Sequence, residues 1–250
     1  MKFPDFIIVG AAKSGTTALW YNLDKHPDIT MATKTTESVE FNFWRGPCWK
    51  RGIDWYKSKF TGKVSGEKSV LYLNSKPSMR HIKINIPNVK LIACLRNPVD
   101  RAYSQWQMNN KANKVPDFSY SLFLKLYAKS GQYYNLINDN ILPFFPKEQL
   151  HIIICEKMKR NTTQEMNKVF DFLEIPNLDF QPKEINPILR QNRTRQEDIK
   201  KNHKEKYFRV WSRHKGRLEG NERETLLNYY KPHNEKLFKF LGYEIKGWNK

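Results

Sequence analysis

Eight residues near the start of the chain, Gly10-Ala11-Ala12-Lys13-Ser14-Gly15-Thr16-Thr17, have the composition of an anion cradle. Small side chains let backbone N–H groups close around a phosphate, and a helix that opens at such a turn adds its positive dipole end. The spacing approaches that of a Walker A loop and then departs from it. That loop places Lys directly after its second Gly, followed by Ser or Thr for magnesium. Here Thr16 follows Gly15, and the lysine lies inside the loop at Lys13. A small-molecule kinase reading therefore loses its phosphate lysine.

A second anion site is expected at Leu95-Arg96-Asn97-Pro98-Val99-Asp100-Arg101-Ala102-Tyr103-Ser104. Arginine at the carboxyl end of a buried strand is suited to bidentate phosphate binding. Arg101 is the near neighbour of that arginine, with two open readings: a second cation for the same phosphate, or a helix-surface or ion-pair residue. Lys215-Gly216-Arg217 ends a basic stretch: between Arg190 and Arg217, eleven Lys and Arg face three acids, Glu197, Asp198 and Glu205. Taken alone that tripeptide reads as surface. Glu40, just before the aromatics Phe41, Phe43 and Trp44, and Glu37, about one helical turn earlier, read on their own as exposed loop acids. Lys68, in Glu67-Lys68-Ser69, reads as a cleft lysine or the partner of a carboxylate.

The elements that must position these residues follow from hydrophobic pattern and turn chemistry. Phe6 to Val9 predicts a buried strand leading into the loop, then a helix from Thr16 to Lys25 stopped by His26-Pro27. Val64 to Val70, Val89 to Leu95 and Leu150 to Cys155 predict further strands. Pro98 suits the first turn of a helix. Thr162 or Thr163 can cap another that runs to Leu173. Leu226 to Trp248 regains helical spacing and should pack back on the domain. Strands alternating with helices predict an α/β fold, one domain over 1–250 with a mainly parallel central sheet flanked by helices.

The chain has 250 residues, 39% hydrophobic and 14% aromatic, enough for one such core. No apolar run reaches the roughly 18 residues of a spanning helix, and the N-terminus lacks a signal-peptide pattern, so a cytoplasmic location is expected. Cys48, Cys94 and Cys155 have no metal-ligand spacing and read as buried thiols. A net charge of +19 calls for anionic ligands. A basic nucleic-acid-binding protein would explain that charge and the aromatics, but not two separate phosphate motifs on strand-to-helix turns.

Residues Phe6 to Asp28 closely resemble the 5′-phosphosulfate loop of sulfotransferases that use 3′-phosphoadenosine 5′-phosphosulfate (PAPS). They look most like the heparan sulfate, or glycan, branch and its bacterial relatives. The resemblance implies a fold related to P-loop kinases, with Lys13, Ser14, Gly15, Thr16 and Thr17 holding the 5′-phosphate and sulfuryl group. The second motif is similar to the family's 3′-phosphate motif, which puts Arg96 and Ser104 on that phosphate. Lys215, Gly216 and Arg217 resemble its nucleotide clamp. Glutamate before paired aromatics falls on Glu40, with Glu37 as the alternative base and Lys68 in the family's Glu-Lys-Ser/Thr strand end. Phe145 to Leu150, Glu156 and Tyr229 to Trp248 also match, so the resemblance covers nearly the whole chain and is thinnest from Pro176 to Arg213.

What this implies is sulfuryl transfer from PAPS to a hydroxyl or amine of a small-molecule or glycan acceptor. Adenosine 3′,5′-bisphosphate would be the product. No metal, nucleic-acid partner or transmembrane segment is expected, because Lys, Arg and helix N-termini can neutralise the phosphates.

Overall fold

The computed structural model describes residues 1–33, 40–110, 119–178, 218 and 220–249. Its centre is a five-stranded sheet of β1 (Phe6–Gly10), β2 (Ile29–Met31), β3 (Val64–Lys68), β4 (Lys90–Leu95) and β5 (Leu150–Ile154). The strands run in the order β2-β3-β1-β4-β5, and every recorded pairing is parallel. Two of the expected strands end slightly early: β3 stops at Lys68, and Cys155 belongs to the helix after β5. The short edge strand β2 carries too few apolar residues to be legible in the sequence.

Alternation along the central strands divides the core between the two sheet faces. Ile7, Val9, Leu91, Ala93 and Leu95 pack on one side with Phe41, Phe43, Tyr56, Tyr72 and Ile137. Phe6, Ile8, Ile92, Cys94 and Ile153 pack on the other with Leu19, Trp20, Met166 and Phe170. Strands buried on both faces read as continuous apolar runs, as these do. Gly66 on β3 is required here, since a Cβ would stand 2.2 Å from the Phe6 ring.

Helices flank the sheet: α1 (Thr16–Leu23), α2 (Ile53–Lys57), α3 (Lys76–Asn85), α4 (Pro98–Asn110), α5 (Tyr120–Leu126) and α6 (Tyr133–Leu136). A π turn, Ile137–Ile141, prolongs α6. After β5 come α7 (Cys155–Arg160), α8 (Thr162–Leu173) and α9 (Gly220–Leu241). α1 is shorter than expected, because Asp24 already caps it before His26-Pro27. The cap of α8 also differs from expectation. Asn161 accepts from the Gln164 amide at 3.1 Å, while the Thr162 hydroxyl turns back to the Met158 carbonyl. At α4, Asn97 Oδ1 accepts from the amides of Val99 (3.0 Å) and Asp100 (3.4 Å), a side-chain cap ahead of Pro98.

α9 returns to the domain as expected. Leu226 and Tyr230 join Val99, Ala102, Phe123 and Tyr127 in a third apolar cluster. The chain then ends with Trp248 buried beside Tyr133. Among the described residues, no helix is long and apolar enough to cross a membrane.

Candidate active site

β1, β3 and β4 are neighbours in the sheet, so their carboxyl ends open on one crevice, where parallel sheets hold their ligands. β1 delivers the loop. Lys13 takes φ 67°, and Gly15, at φ 88°, caps α1. A Cβ on Gly15 would lie 3.0 Å from Cys155 Sγ, so glycine is needed for space as well as for backbone angle. The first recorded bond of α1 runs from the Leu19 amide to the Gly15 carbonyl at 3.0 Å. The amides ahead of it are the helix-start donors that suit an anion.

β4 delivers Arg96, whose Nη1 donates to the Lys13 carbonyl at 3.3 Å. The two phosphate motifs, more than eighty residues apart, thus meet directly. Cys94 Sγ also ties β4 to the loop by donating to the Ser14 carbonyl at 2.8 Å. Hydrogen bonding with Cys155, followed by burial, pushes the Cys94 thiol well up and keeps it protonated for this role. All three cysteines are free and buried, as expected. Ser104 is buried on α4, one helical turn past Arg101.

β3 delivers Lys68. Its Nζ ion-pairs with Glu40 and donates to Thr17 Oγ1 at 3.3 Å. Of the two readings for this lysine, the carboxylate partner is therefore present, and the same ammonium also reaches the loop helix. Glu40 joins β3 through a single parallel bridge to Lys68, and its second oxygen accepts from the Val70 amide at 3.2 Å. The segment after Glu40 is then fastened along the chain that follows β3. The Phe41 amide donates to the Lys68 carbonyl (3.2 Å), Asn42 to Ser69 Oγ (2.8 Å) and Trp44 to the Tyr72 hydroxyl (3.0 Å).

Beneath that zipper lies Glu67, a fully buried carboxyl. It accepts from the Tyr56 hydroxyl at 2.5 Å and from Ser69 Oγ at 2.8 Å. Burial pushes its pKa up to about 7, and the nearby negative charge of Glu40 adds to the rise. The sequence places Glu67 in its motif without giving it a task. Its adjacency to Lys68 and Ser69 was the only available signal, since Tyr56 arrives from a distant helix.

The site's remaining framework is equally non-local. The Tyr133 hydroxyl donates to the Arg96 carbonyl at 2.8 Å. Glu156 accepts from the Asn97 amide at 2.8 Å and from Trp248 Nε1 at 3.4 Å. Of the two readings for Arg101, the surface or ion-pair one is corrected: it is 2% exposed, because it shares the inward face of α4 with Ser104, and among the described residues it makes no ion pair. Its neighbour Asp100 takes the ion-pair role instead, with Arg223 of α9 at 2.7 Å. Glu37, Lys215, Gly216 and Arg217 lie outside the described residues.

The known proteins most informative about this arrangement agree with one another. A family profile described as "Sulfotransferase domain" matches residues 3–223. The chain belongs to the sulfotransferase family. This sulfotransferase is 28% identical to the bovine (Bos taurus) bifunctional heparan sulfate N-deacetylase/N-sulfotransferase 2, over 99% of its own length and 31% of that protein's. It is 26% identical to the Drosophila melanogaster bifunctional heparan sulfate N-deacetylase/N-sulfotransferase, with 96% and 26% covered. The chain thus spans about a third of these relatives at most. Among solved structures, a sulfotransferase from Alicyclobacillus acidocaldarius covers both chains fully at 24% identity with a TM-score of 0.73. The sulfotransferase domain from the curacin biosynthetic pathway aligns at 15% identity and 0.55, covering 98% of this chain and 100% of its own. At those identities the likeness is one of fold.

Proposed function

We propose that residues 1–250 act as one sulfotransferase domain that moves a sulfuryl group from PAPS to an amine or hydroxyl of a carbohydrate acceptor. The observation that carries the reading is the junction of Arg96 with the Lys13 carbonyl. It joins two anion-binding strand ends in one crevice, which suits a nucleotide phosphorylated at both ends better than ATP. The residues present fit such a donor. The Ser14 hydroxyl is buried beside the Tyr133 phenol and satisfied by no well-formed hydrogen bond, and the loop at Gly15 is kept free of a side chain. The curated relatives, named as heparan sulfate N-sulfotransferases, favour an amine on a sulfated glycan as acceptor.

PAPS supplies the activated sulfuryl group; everything else falls to side chains of this protein. The loop, with Lys13, Ser14, Gly15, Thr16 and Thr17, holds the 5′-phosphate end. Arg96 and Ser104 hold the 3′-phosphate, and Lys215, Gly216 and Arg217 close over the nucleotide. Glu40 takes the proton from the acceptor as its nitrogen or oxygen attacks sulfur in line. The bond between sulfur and the phosphate oxygen breaks, and Lys13 neutralises the charge left on that oxygen. Lys68 stands between the two halves, paired with Glu40 and bonded to Thr17. From there it is placed to follow charge as it moves to the leaving group. Glu37 is the alternative base.

Calorimetry with adenosine 3′,5′-bisphosphate and with ATP tests the donor. Tighter binding of the bisphosphate is expected, and equal binding would sink the assignment. An acceptor screen with radiolabelled PAPS, comparing N-desulfated and fully N-sulfated heparan chains, tests the glycan amine. Label on the first alone is the expected result.

A further inference from the structure

Arg101 is a fully buried cation in the framework of the phosphate crevice, and its surroundings do not account for its charge. Its Nη2 donates to the Tyr127 carbonyl at 2.8 Å, while its Nε is buried without a hydrogen-bond acceptor. Among the described residues it makes no ion pair: Asp100 beside it is directed to Arg223. Among the described residues, the other polar groups against it are the phenol of Tyr133 and that of Tyr230, the latter a hydrogen-bond neighbour, and burial holds both protonated. A buried guanidinium facing only carbonyl and phenol dipoles is costly to retain, and leaving one unpaired is among the most destabilising arrangements in a core.

Its position suggests what recovers that cost. Arg101 and Ser104 lie three apart on α4 and share one helical face. Across from them, Tyr133 feels the Arg101 charge and donates to the Arg96 carbonyl. The N-terminus of α4 adds its positive dipole end to the same strand terminus. An anion held by Arg96 and Ser104 would therefore sit over a second, unneutralised positive charge that solvent does not screen.

We infer that Arg101 is a buried positioning residue of the Arg96–Ser104 phosphate site, and that it sets the site's preference for a nucleotide carrying a 3′-phosphate. Too enclosed to touch the nucleotide, it acts through its field and by steadying Tyr133 beneath Arg96. The inference rests on the nucleotide reading above. It extends that reading to a residue whose chemistry would otherwise pass for an anchor between α4 and the Tyr127 carbonyl.

The test is calorimetry on the full chain with adenosine 3′,5′-bisphosphate and with adenosine 5′-monophosphate, for wild type, Arg101→Gln and Arg101→Lys. Gln can keep the bond to the Tyr127 carbonyl while removing the charge. It is expected to lower bisphosphate affinity about tenfold and monophosphate affinity by less than about twofold, the order expected of one unit charge acting through protein. Lys, which keeps the charge, should restore most of the difference. A wild type that does not prefer the bisphosphate overturns the nucleotide reading, and this inference with it. A wild type that prefers it, beside an Arg101→Gln variant with the same preference, overturns this inference alone. So does an equal loss for both nucleotides, which is the mark of a merely structural role. Should Arg101→Gln fail to fold, Arg101→Lys decides: a folded variant that has lost the preference overturns the inference, and one that keeps it upholds it.

Discussion

The two sides of the crevice are built in opposite ways. The loop side is assembled from eight consecutive residues, Gly10 to Thr17, with Arg96 fastened to its backbone from the next strand. Its working groups are amides, hydroxyls and cations. The Glu40 side draws on residues from β3, α2 and the segment that precedes them, and its working groups are carboxylates held by hydroxyls and a lysine. Under the proposed function, the difference follows from the charge each side would handle. An anion can be held by a helix start and its preceding turn, which are local in sequence. A carboxylate that is to take a proton needs its own charge restrained from several directions, and only distant chain segments supply them.

Substitutions on either side should separate the two designs. Lys13→Ala is expected to have the largest effect, lowering transfer by about a thousandfold or more while the melting temperature stays near that of wild type. A steady-state assay beside a thermal melt checks it, and a small rate loss would remove Lys13 from the charge-neutralising role. Glu40→Gln should lower kcat by about a hundred- to ten-thousandfold, with the affinity for adenosine 3′,5′-bisphosphate nearly unchanged. Full activity in that variant would move the base to Glu37. Arg96→Ala should act mainly on binding, weakening the bisphosphate by about ten- to a hundredfold through loss of a charge-assisted bond. If kcat fell and affinity held, the division between the two sides would be wrong.

Glu67 gives the smallest and most specific comparison. A carboxyl whose folded pKa is raised from 4.5 to about 7 binds its proton more tightly in the native state than in the unfolded one. Its contribution to stability is thus fully present below about pH 4.5 and is lost as pH rises through 7, a decline on the order of 3 kcal/mol at most. Glu67→Gln removes that titration and keeps an acceptor oxygen for Tyr56, with its amide NH2 turned to Ser69 Oγ as acceptor. Between pH 5 and 8 the wild-type melting temperature should therefore fall relative to the variant's. Parallel curves would mean that the Glu67 carboxyl titrates alike in both states.

Legibility in the sequence divides along the same line. β1, β4 and β5 are strands buried on both faces, so their apolar runs mark them, and the turns that leave β1 and β4 carry Gly15 and Pro98 where the backbone needs them. β2 has only three residues at the sheet edge, too short to leave a pattern. Arg101 stays open in the sequence because an arginine on a helix is ordinarily a solvated residue. Its burial depends on α5, α6 and α9 packing over α4, which no local spacing encodes. Glu67 is similar: Tyr56, which helps define its environment, comes from α2.

By itself, the sequence determined the α/β class, the Gly10 to Thr17 turn with its lysine inside, and the second strand-to-helix turn, which carries Arg96 and leads to Ser104. Each of these is a short-range matter of strand, turn and helix start, and short-range geometry is written in neighbouring residues. Tertiary structure decided that the two motifs meet through the Lys13 carbonyl, that Lys68 pairs with Glu40, and that the Arg101 guanidinium and the Glu67 carboxyl lie in the core. Those outcomes depend on which faces of distant elements close together, because burial and charge pairing are properties of the packed chain and of no single segment.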